Sequence, residues 1–418
     1  MAAESLRCRE CGEVYPLDAR YVCERCFGPL EVAYAKVQGA PDELRRRIQA
    51  GPQNMWRYAD FLPLQAPPAP SQRRSSRTGL PAGCTPLIRA DRLAQRLGLG
   101  EVWVKNDTAN PTHSFKDRVV SVASARALEL GFDVLACAST GNLANAVAAQ
   151  AAALGVESYV FIPADLEEQK VLATGVYGTN LVKVRGNYDD VNRLCTELSG
   201  EKDGWAFVNV NMRPYYAEGS KTIAYEIAEQ LGFQTPDRIV APIASGSLFT
   251  KVAKGFGEFL ELGLATGSVP TMNGAQAEGC SPVATAFADG RDVCRPVKPD
   301  TIAKSLAIGN PADGPYALEQ ARSTGGSIDA VDDDEIRAGI RLLAETTGIF
   351  TETAGGVTTA VLAKLAARGD IGADERVVLV ITGDGLKTLD AVRGSFQAFE
   401  IDPSYDAFEQ HVATAVAA

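Results

Sequence analysis

The sequence predicts an α/β protein of two parallel sheets flanked by helices, with a small cysteine-bearing lobe at its N-terminus. Three observations carry that prediction. Apolar runs begin near Val102, Val134, Ser158, Leu181, Trp205 and Ile239, and later near Ala275 and Val377. Four of them recur about 24 residues apart, with helical sequence between, which is the period of a strand–helix unit and not of a solenoid. Strands that alternate with helices pair in parallel and are covered on both faces.

The elements follow in order. Cys8-Arg-Glu-Cys11 and Cys23-Glu-Arg-Cys26 are two Cys-x-x-Cys knuckles separated by eleven residues. Four thiolates so spaced make a tetrahedral Zn2+ site, and a lobe of about 30 residues (1–35) needs such a staple. No strand–helix–strand pattern precedes either knuckle, which argues against a thioredoxin-like redox role. A linking arm (36–84) contains a short helix from Pro41 to Ile48. Its stretch from Leu64 to Gly83, with Ala-Pro-Pro-Ala-Pro and Ser-Gln-Arg-Arg-Ser-Ser-Arg, reads as a mobile segment with solvated arginines. A large domain takes 85–125 and 232–400, a small one takes 126–231, and 401–418 form a tail. Between strands, Leu143, Val147, Ala151 and Leu154 share one helical face, as do Phe249, Val252, Phe256 and Phe259.

The 418 residues carry a net charge of −11, which argues against nucleic acid or an anionic membrane as partner. No apolar run approaches the ~18 residues of a membrane span. Nine cysteines without a secretory signal point to the reducing cytoplasm. His113 and His411 are the only histidines, too few for a histidine triad or a His-rich metal centre. The chemistry must come from Lys, Ser, Thr, Asn or a cofactor.

In parallel sheets, ligands sit beyond the carboxyl ends of the strands, where helix N-termini present unpaired N–H groups. Three such turns are small and rich in donors: Ser139-Thr140-Gly141-Asn142, Ser245-Gly246-Ser247-Leu248, and Thr382-Gly383-Asp384-Gly385. None has the spacing of a Walker A loop or of Gly-x-Gly-x-x-Gly. A fourth segment, Asn110-Pro-Thr-His-Ser-Phe-Lys116-Asp-Arg118, is a proline-bearing turn that runs into a helix. The positive end of a helix disfavours an ammonium and lowers its pKa, which suits a Schiff-base lysine. A surface lysine paired with Asp117 is the plainer alternative.

Asn-Pro-Thr-x-Ser-Phe-Lys116-Asp-Arg, Ser139-Thr140-Gly141-Asn142, Glu218-Gly219-Ser-Lys-Thr222 and Thr382-Gly383-Asp384-Gly385-Leu-Lys together resemble threonine synthase. That family shares the fold type II of pyridoxal-phosphate enzymes with cysteine synthase and serine dehydratases. The resemblance runs from about residue 85 to about 395, and a four-Cys lobe is similar to that of some members. It implies a two-domain tryptophan-synthase-β-like fold and a Schiff base between Lys116 and pyridoxal 5′-phosphate. Asn142 would meet the cofactor's 3′-oxygen, the turn of Ser245, Gly246, Ser247 and Leu248 its phosphate, and Thr382 its ring nitrogen. Ser139, Thr140 and Gly141 would receive the substrate carboxylate. The implied reaction converts O-phospho-L-homoserine and water to L-threonine and phosphate, by γ-elimination and β-addition, in a homodimer.

The chain departs from the family at one motif. Many members carry Asn-Pro-Tyr-Arg where this one has Arg213-Pro214-Tyr215-Tyr216. Arg213, Lys221 and Lys304 are then the candidate cations for the substrate phosphate. The departure keeps open another phosphorylated amino acid, such as O-phosphoserine with sulfite in a cysteate synthase. A catalytically silent binding protein on the same fold is the remaining alternative. His113 stands where the family often has Gly, either as a gate or as a packing variation.

Overall fold

The computed structural model describes residues 3–35, 39–64, 78–139, 141–166, 168–186 and 188–417. The arginines expected in a mobile arm fall within 65–77, and Thr140 stands alone; both lie outside the described residues. Thirteen strands are described: β1 (Ala3–Cys8), β2 (Val14–Tyr15), β3 (Leu30–Tyr34), β4 (Leu87–Arg89), β5 (Glu101–Asn106), β6 (Val134–Ala138), β7 (Glu157–Pro163), β8 (Asn180–Val184), β9 (Trp205–Phe207), β10 (Arg238–Pro242), β11 (Thr271–Ala277), β12 (Ile328–Val331) and β13 (Arg376–Ile381).

They form three sheets. The N-terminal lobe is β2-β1-β3, antiparallel. A six-stranded sheet runs β12-β11-β10-β13-β5-β4, parallel except for the edge strand β4. A four-stranded sheet runs β8-β7-β6-β9, all parallel. The central strands β6, β10 and β13 are buried almost along their length, as parallel strands covered by helices must be.

Helix packing moves two expected boundaries. The helix Lys116–Glu129 lays Val119, Val120, Ala123 and Ala127 into the core that covers the four-stranded sheet, although the sequence assigned it largely to the other domain. The helix Lys221–Gln230 does the reverse, placing Ile223, Ala224 and Ile227 in the core of the larger sheet. The periodicity that marks a helix gives no sign of which sheet it faces. Part of the expected arm joins the core: the helix Pro41–Gln49 buries Leu44 and Ile48, and Trp56, Tyr58 and Phe61 behind it are fully buried. The expected tail contains a helix, Tyr405–Ala417.

The N-terminal lobe touches both larger units. Its Glu31 pairs with Lys251, Glu10 bonds Tyr316, and Tyr34 donates to Glu218 at 2.6 Å. Among the described residues no helix is long and apolar enough to cross a membrane.

Candidate active site

Parallel order β10-β13-β5 brings three strand ends to one edge, and with them the turns that start at 243, 382 and 107. Lys116 is the first residue of its helix, as its motif predicts. The segment before it is braided onto the end of β13: Phe115 N–H donates to the Thr382 carbonyl at 2.9 Å, and Asp384 N–H to the His113 carbonyl at 3.1 Å. Glu352 N–H donates to the Gly383 carbonyl at 3.0 Å, which adds a third segment. A Cβ on Gly383 would lie 2.3 Å from Glu352 Oε1, so a side chain there would displace the Glu352 carboxylate.

The Lys116 amine is half-buried, near the Phe115 ring, and donates to the Tyr216 hydroxyl at 2.8 Å. Burial lowers its pKa to about 8, against the opposing field of Glu352. It is not paired with Asp117. That carboxylate accepts from Thr112 N and Oγ1 at 2.7 and 2.8 Å, and burial lifts it to about 6. Asn142 opens the helix Asn142–Leu154 and reaches across from the small unit. Its amide donates to both Glu352 oxygens at 3.0 Å, and its carbonyl oxygen accepts from Lys387 at 2.7 Å. Burial raises the Glu352 carboxyl and lowers the Lys387 ammonium, each partly offset by the other.

Ser139 closes the turn before this helix, its hydroxyl accepting from Gly141 N at 3.3 Å and Ala144 N at 3.1 Å. Gly246 precedes the fifteen-residue helix Ser247–Glu261 at φ +97°, and its Cβ would sit 2.7 Å from the Asp313 carbonyl oxygen. Ser245 and Ser247 flank it, and Leu248 begins the buried face. Arg213 pairs with Asp313 at 2.9 Å, while Asp313 N–H donates to the Ser245 carbonyl. That places Arg213 one residue-to-residue contact from the 245–248 turn.

Two expected substrate cations stand elsewhere. Lys221 is fully buried, held by Glu218 at 2.7 Å, Glu258 at 3.0 Å and the Phe61 carbonyl at 3.1 Å. An ammonium so completely matched is a structural cation, because freeing it would strand two buried carboxylates. Lys304 is exposed on a single turn, Lys304–Leu306. His113 is exposed at φ +61°, with Nδ1 3.3 Å from the Thr108 carbonyl oxygen. The left-handed backbone explains why glycine suits that position.

Glu352, Lys387 and Tyr216 were not assigned by sequence reasoning, although Lys387 ends a quoted motif and Tyr216 marks the departure from Asn-Pro-Tyr-Arg. Among the described residues, buried hydroxyls without partners include Ser114 Oγ, two residues before Lys116, and Thr353 Oγ1 and Thr388 Oγ1, which follow Glu352 and Lys387 in the chain. Unmatched buried donors next to a lowered-pKa lysine, with a glycine turn at a helix N-terminus, fit a phosphorylated aldehyde cofactor.

In the lobe, Cys8, Cys11, Cys23 and Cys26 bring all four sulfurs within 4.8 Å of one another. Cys8–Cys26 and Cys11–Cys26 are 3.4 Å apart and Cys11–Cys23 3.6 Å. A tetrahedron with Zn–S bonds of ~2.3 Å has edges of about 3.8 Å, so the donor set fits zinc.

Comparison with known proteins agrees with this geometry. The pyridoxal-phosphate dependent enzyme family matches residues 79–383. A threonine synthase of Methanocaldococcus jannaschii is 39% identical over 95% of this chain and 96% of its own. One from Methanosarcina acetivorans is 39% identical over 91% and 92%. A fungal L-serine ammonia-lyase from Rhizomucor miehei shares the fold, with a TM-score of 0.64 at 23% identity over 75% of this chain and 98% of that one. Near-complete coverage at this identity, over a fold whose strand ends converge on one lysine, means that the chain belongs to the threonine synthase family of pyridoxal-phosphate-dependent enzymes.

Proposed function

We propose that the chain converts O-phospho-L-homoserine and water to L-threonine and phosphate, using pyridoxal phosphate held at Lys116. The observation that carries this reading is 39% identity to a threonine synthase over nearly the whole of both chains. Bound pyridoxal phosphate supplies an electron sink for negative charge developing on the substrate carbons. The chain supplies the proton transfers and the two anion sites.

Lys116 moves the proton at the substrate Cα. An amine titrating near 8 is a competent base around neutrality, whereas one at the ordinary ~10.4 would be almost wholly protonated. Asn142 would hold the cofactor's 3′-oxygen, and its anchoring by Glu352 and Lys387 keeps its amide oriented. The 245–248 turn would hold the cofactor phosphate on backbone N–H groups at its helix N-terminus, and Thr382 would serve the ring nitrogen. Ser139, Thr140 and Gly141 receive the substrate carboxylate. Arg213, beside the 245–248 turn through Asp313, is the cation for the substrate phosphate in place of the absent arginine. The unit built on the four-stranded sheet closes on substrate and excludes water from the reacting carbons.

The test is a paired assay. Purified protein with pyridoxal phosphate should release phosphate and threonine in equal amounts from O-phosphohomoserine, and Lys116→Ala should release neither. Turnover of O-phosphoserine alone would assign the chain to another phosphorylated amino acid.

We further propose that the four cysteines hold a structural Zn2+, that the protein works as a homodimer, and that it resides in the cytoplasm. The sulfur geometry supports the first, family resemblance the second, and the biosynthetic role the third.

A further inference from the structure

The motif in which the chain departs from its family leads to the residue that touches the Lys116 amine. Tyr216 stands where Asn-Pro-Tyr-Arg would put an arginine, and its hydroxyl accepts from Lys116 Nζ at 2.8 Å. We propose that Tyr216 is a positioning residue for Lys116, its hydroxyl holding the amine in place whenever that amine is not bonded to the cofactor. The inference rests on reading Lys116 as the cofactor lysine.

Geometry makes Tyr216 a fixed post. It lies on the short helix Arg213–Glu218, is 9% exposed, and packs in the core that covers the four-stranded sheet. Its N–H donates to the Met212 carbonyl at 3.0 Å, and the adjacent Tyr215 hydroxyl is tied to the Asp18 carbonyl at 2.8 Å. Lys116, by contrast, carries its nitrogen on a flexible four-carbon stem. A partner fixed in the same core as the helix that carries Lys116 therefore limits where the nitrogen can go.

Chemistry makes tyrosine the suitable residue. A phenol both accepts and donates, so it bonds the ammonium and the neutral amine alike. Arginine only donates, and would set a permanent cation beside the ammonium. Burial pushes the Tyr216 hydroxyl well above its ordinary range, so it remains protonated and positions the amine without competing for the substrate proton. The nearby Glu352 acts on Lys116 through its field, and its own hydrogen bonds go to Asn142.

The test separates the amine from the rest of the site. Apo-protein, parent and Tyr216→Phe, is mixed with pyridoxal phosphate and the C=N bond is followed by stopped-flow absorbance. In that step the Nζ lone pair adds to the aldehyde carbon, C=N replaces C=O, and one water leaves. Equilibrium binding of 4-deoxypyridoxine phosphate, which lacks the aldehyde, reports the remaining contacts. We expect capture by Tyr216→Phe to slow about tenfold while the deoxypyridoxine phosphate Kd stays within about twofold. Capture at the parent rate overturns the proposal. So does an equal weakening towards both ligands, which would make Tyr216 a packing residue only. If borohydride reduction and peptide mapping of the parent place the cofactor on a lysine other than Lys116, the underlying reading fails, and the proposal with it.

Discussion

Glu226→Gln should destabilise the protein by about 3–5 kcal/mol, although it changes one atom in a side chain remote from solvent. Glu226 is the centre of a buried ionic knot. Its oxygens accept from Arg118 Nη1 and Nη2 at 2.7 and 2.8 Å, from Lys105 at 2.7 Å, and from Cys84 N at 2.7 Å. Lys105, Asp107, Arg118 and Glu226 are all at most 1% exposed. Burial pushes the Glu226 carboxyl up, but Arg118 and Lys105 outweigh it and hold it at about 2 against an ordinary 4.5. That difference converts to about 3 kcal/mol of stability. Because the folded value is the lower one, this contribution is complete above about 4.5 and is lost as pH falls towards 2. The charge deletion gives the same scale by another route, since it leaves two buried cations facing Asp107 alone among the knot's carboxylates. Urea denaturation followed by tryptophan fluorescence measures the loss. Lys105→Met added to Glu226→Gln should cost less than the two single changes summed, by about 1–3 kcal/mol. A Glu226→Gln protein within about 0.5 kcal/mol of the parent would refute the reasoning. Arg118 lies on the same first helical turns as Lys116, so the knot also fixes the helix that presents the reactive amine.

Other outcomes follow from the same geometry. Capture of pyridoxal phosphate by the apo-protein should accelerate about tenfold per pH unit below about 8 and level off above it, because only the neutral Lys116 amine adds to an aldehyde; a stopped-flow rate that goes on rising about tenfold per unit from about pH 8 to about pH 10, as for an ordinary lysine, would contradict the low pKa. Gly246→Ala meets both a left-handed backbone and the Asp313 carbonyl, so it should cost about 1–3 kcal/mol and weaken binding of pyridoxal phosphate in a fluorescence titration. Elemental analysis should find about one zinc per chain, and Cys11→Ser should lower both metal content and the thermal midpoint.

The fold was legible where a signal is local. Strand starts at 102, 134, 158, 181, 205, 239 and 377 fall within a residue of the observed ones, because each opens a run rich in apolar residues. β11 begins at Thr271, ahead of the expected Ala275, since buried Asn273 and Gln276 interrupt its apolar pattern. Asn273 finds its partners in Arg238 and Ser327, 35 and 54 residues away, while Gln276 accepts from the N–H groups of Val283 and Ala284 at the start of the next helix. β4 and β12 are three and four residues long, too short for a period to register.

The site divides in the same way. Lys116 and the glycine turns are marked by their own neighbours in the chain. Tyr216 and Glu352 acquire their roles from contacts 100 and 210 residues away, with Lys116 and Asn142. In the sequence Lys221 is a candidate cation for the substrate phosphate because Glu258, 37 residues on, gives no local sign that it closes over the ammonium.

The most direct test of the account is product stoichiometry with O-phospho-L-homoserine as sole substrate. The account predicts one threonine for each phosphate released by the protein loaded with pyridoxal phosphate, and no release by Lys116→Ala. Phosphate release without threonine, or turnover that survives Lys116→Ala, would contradict it.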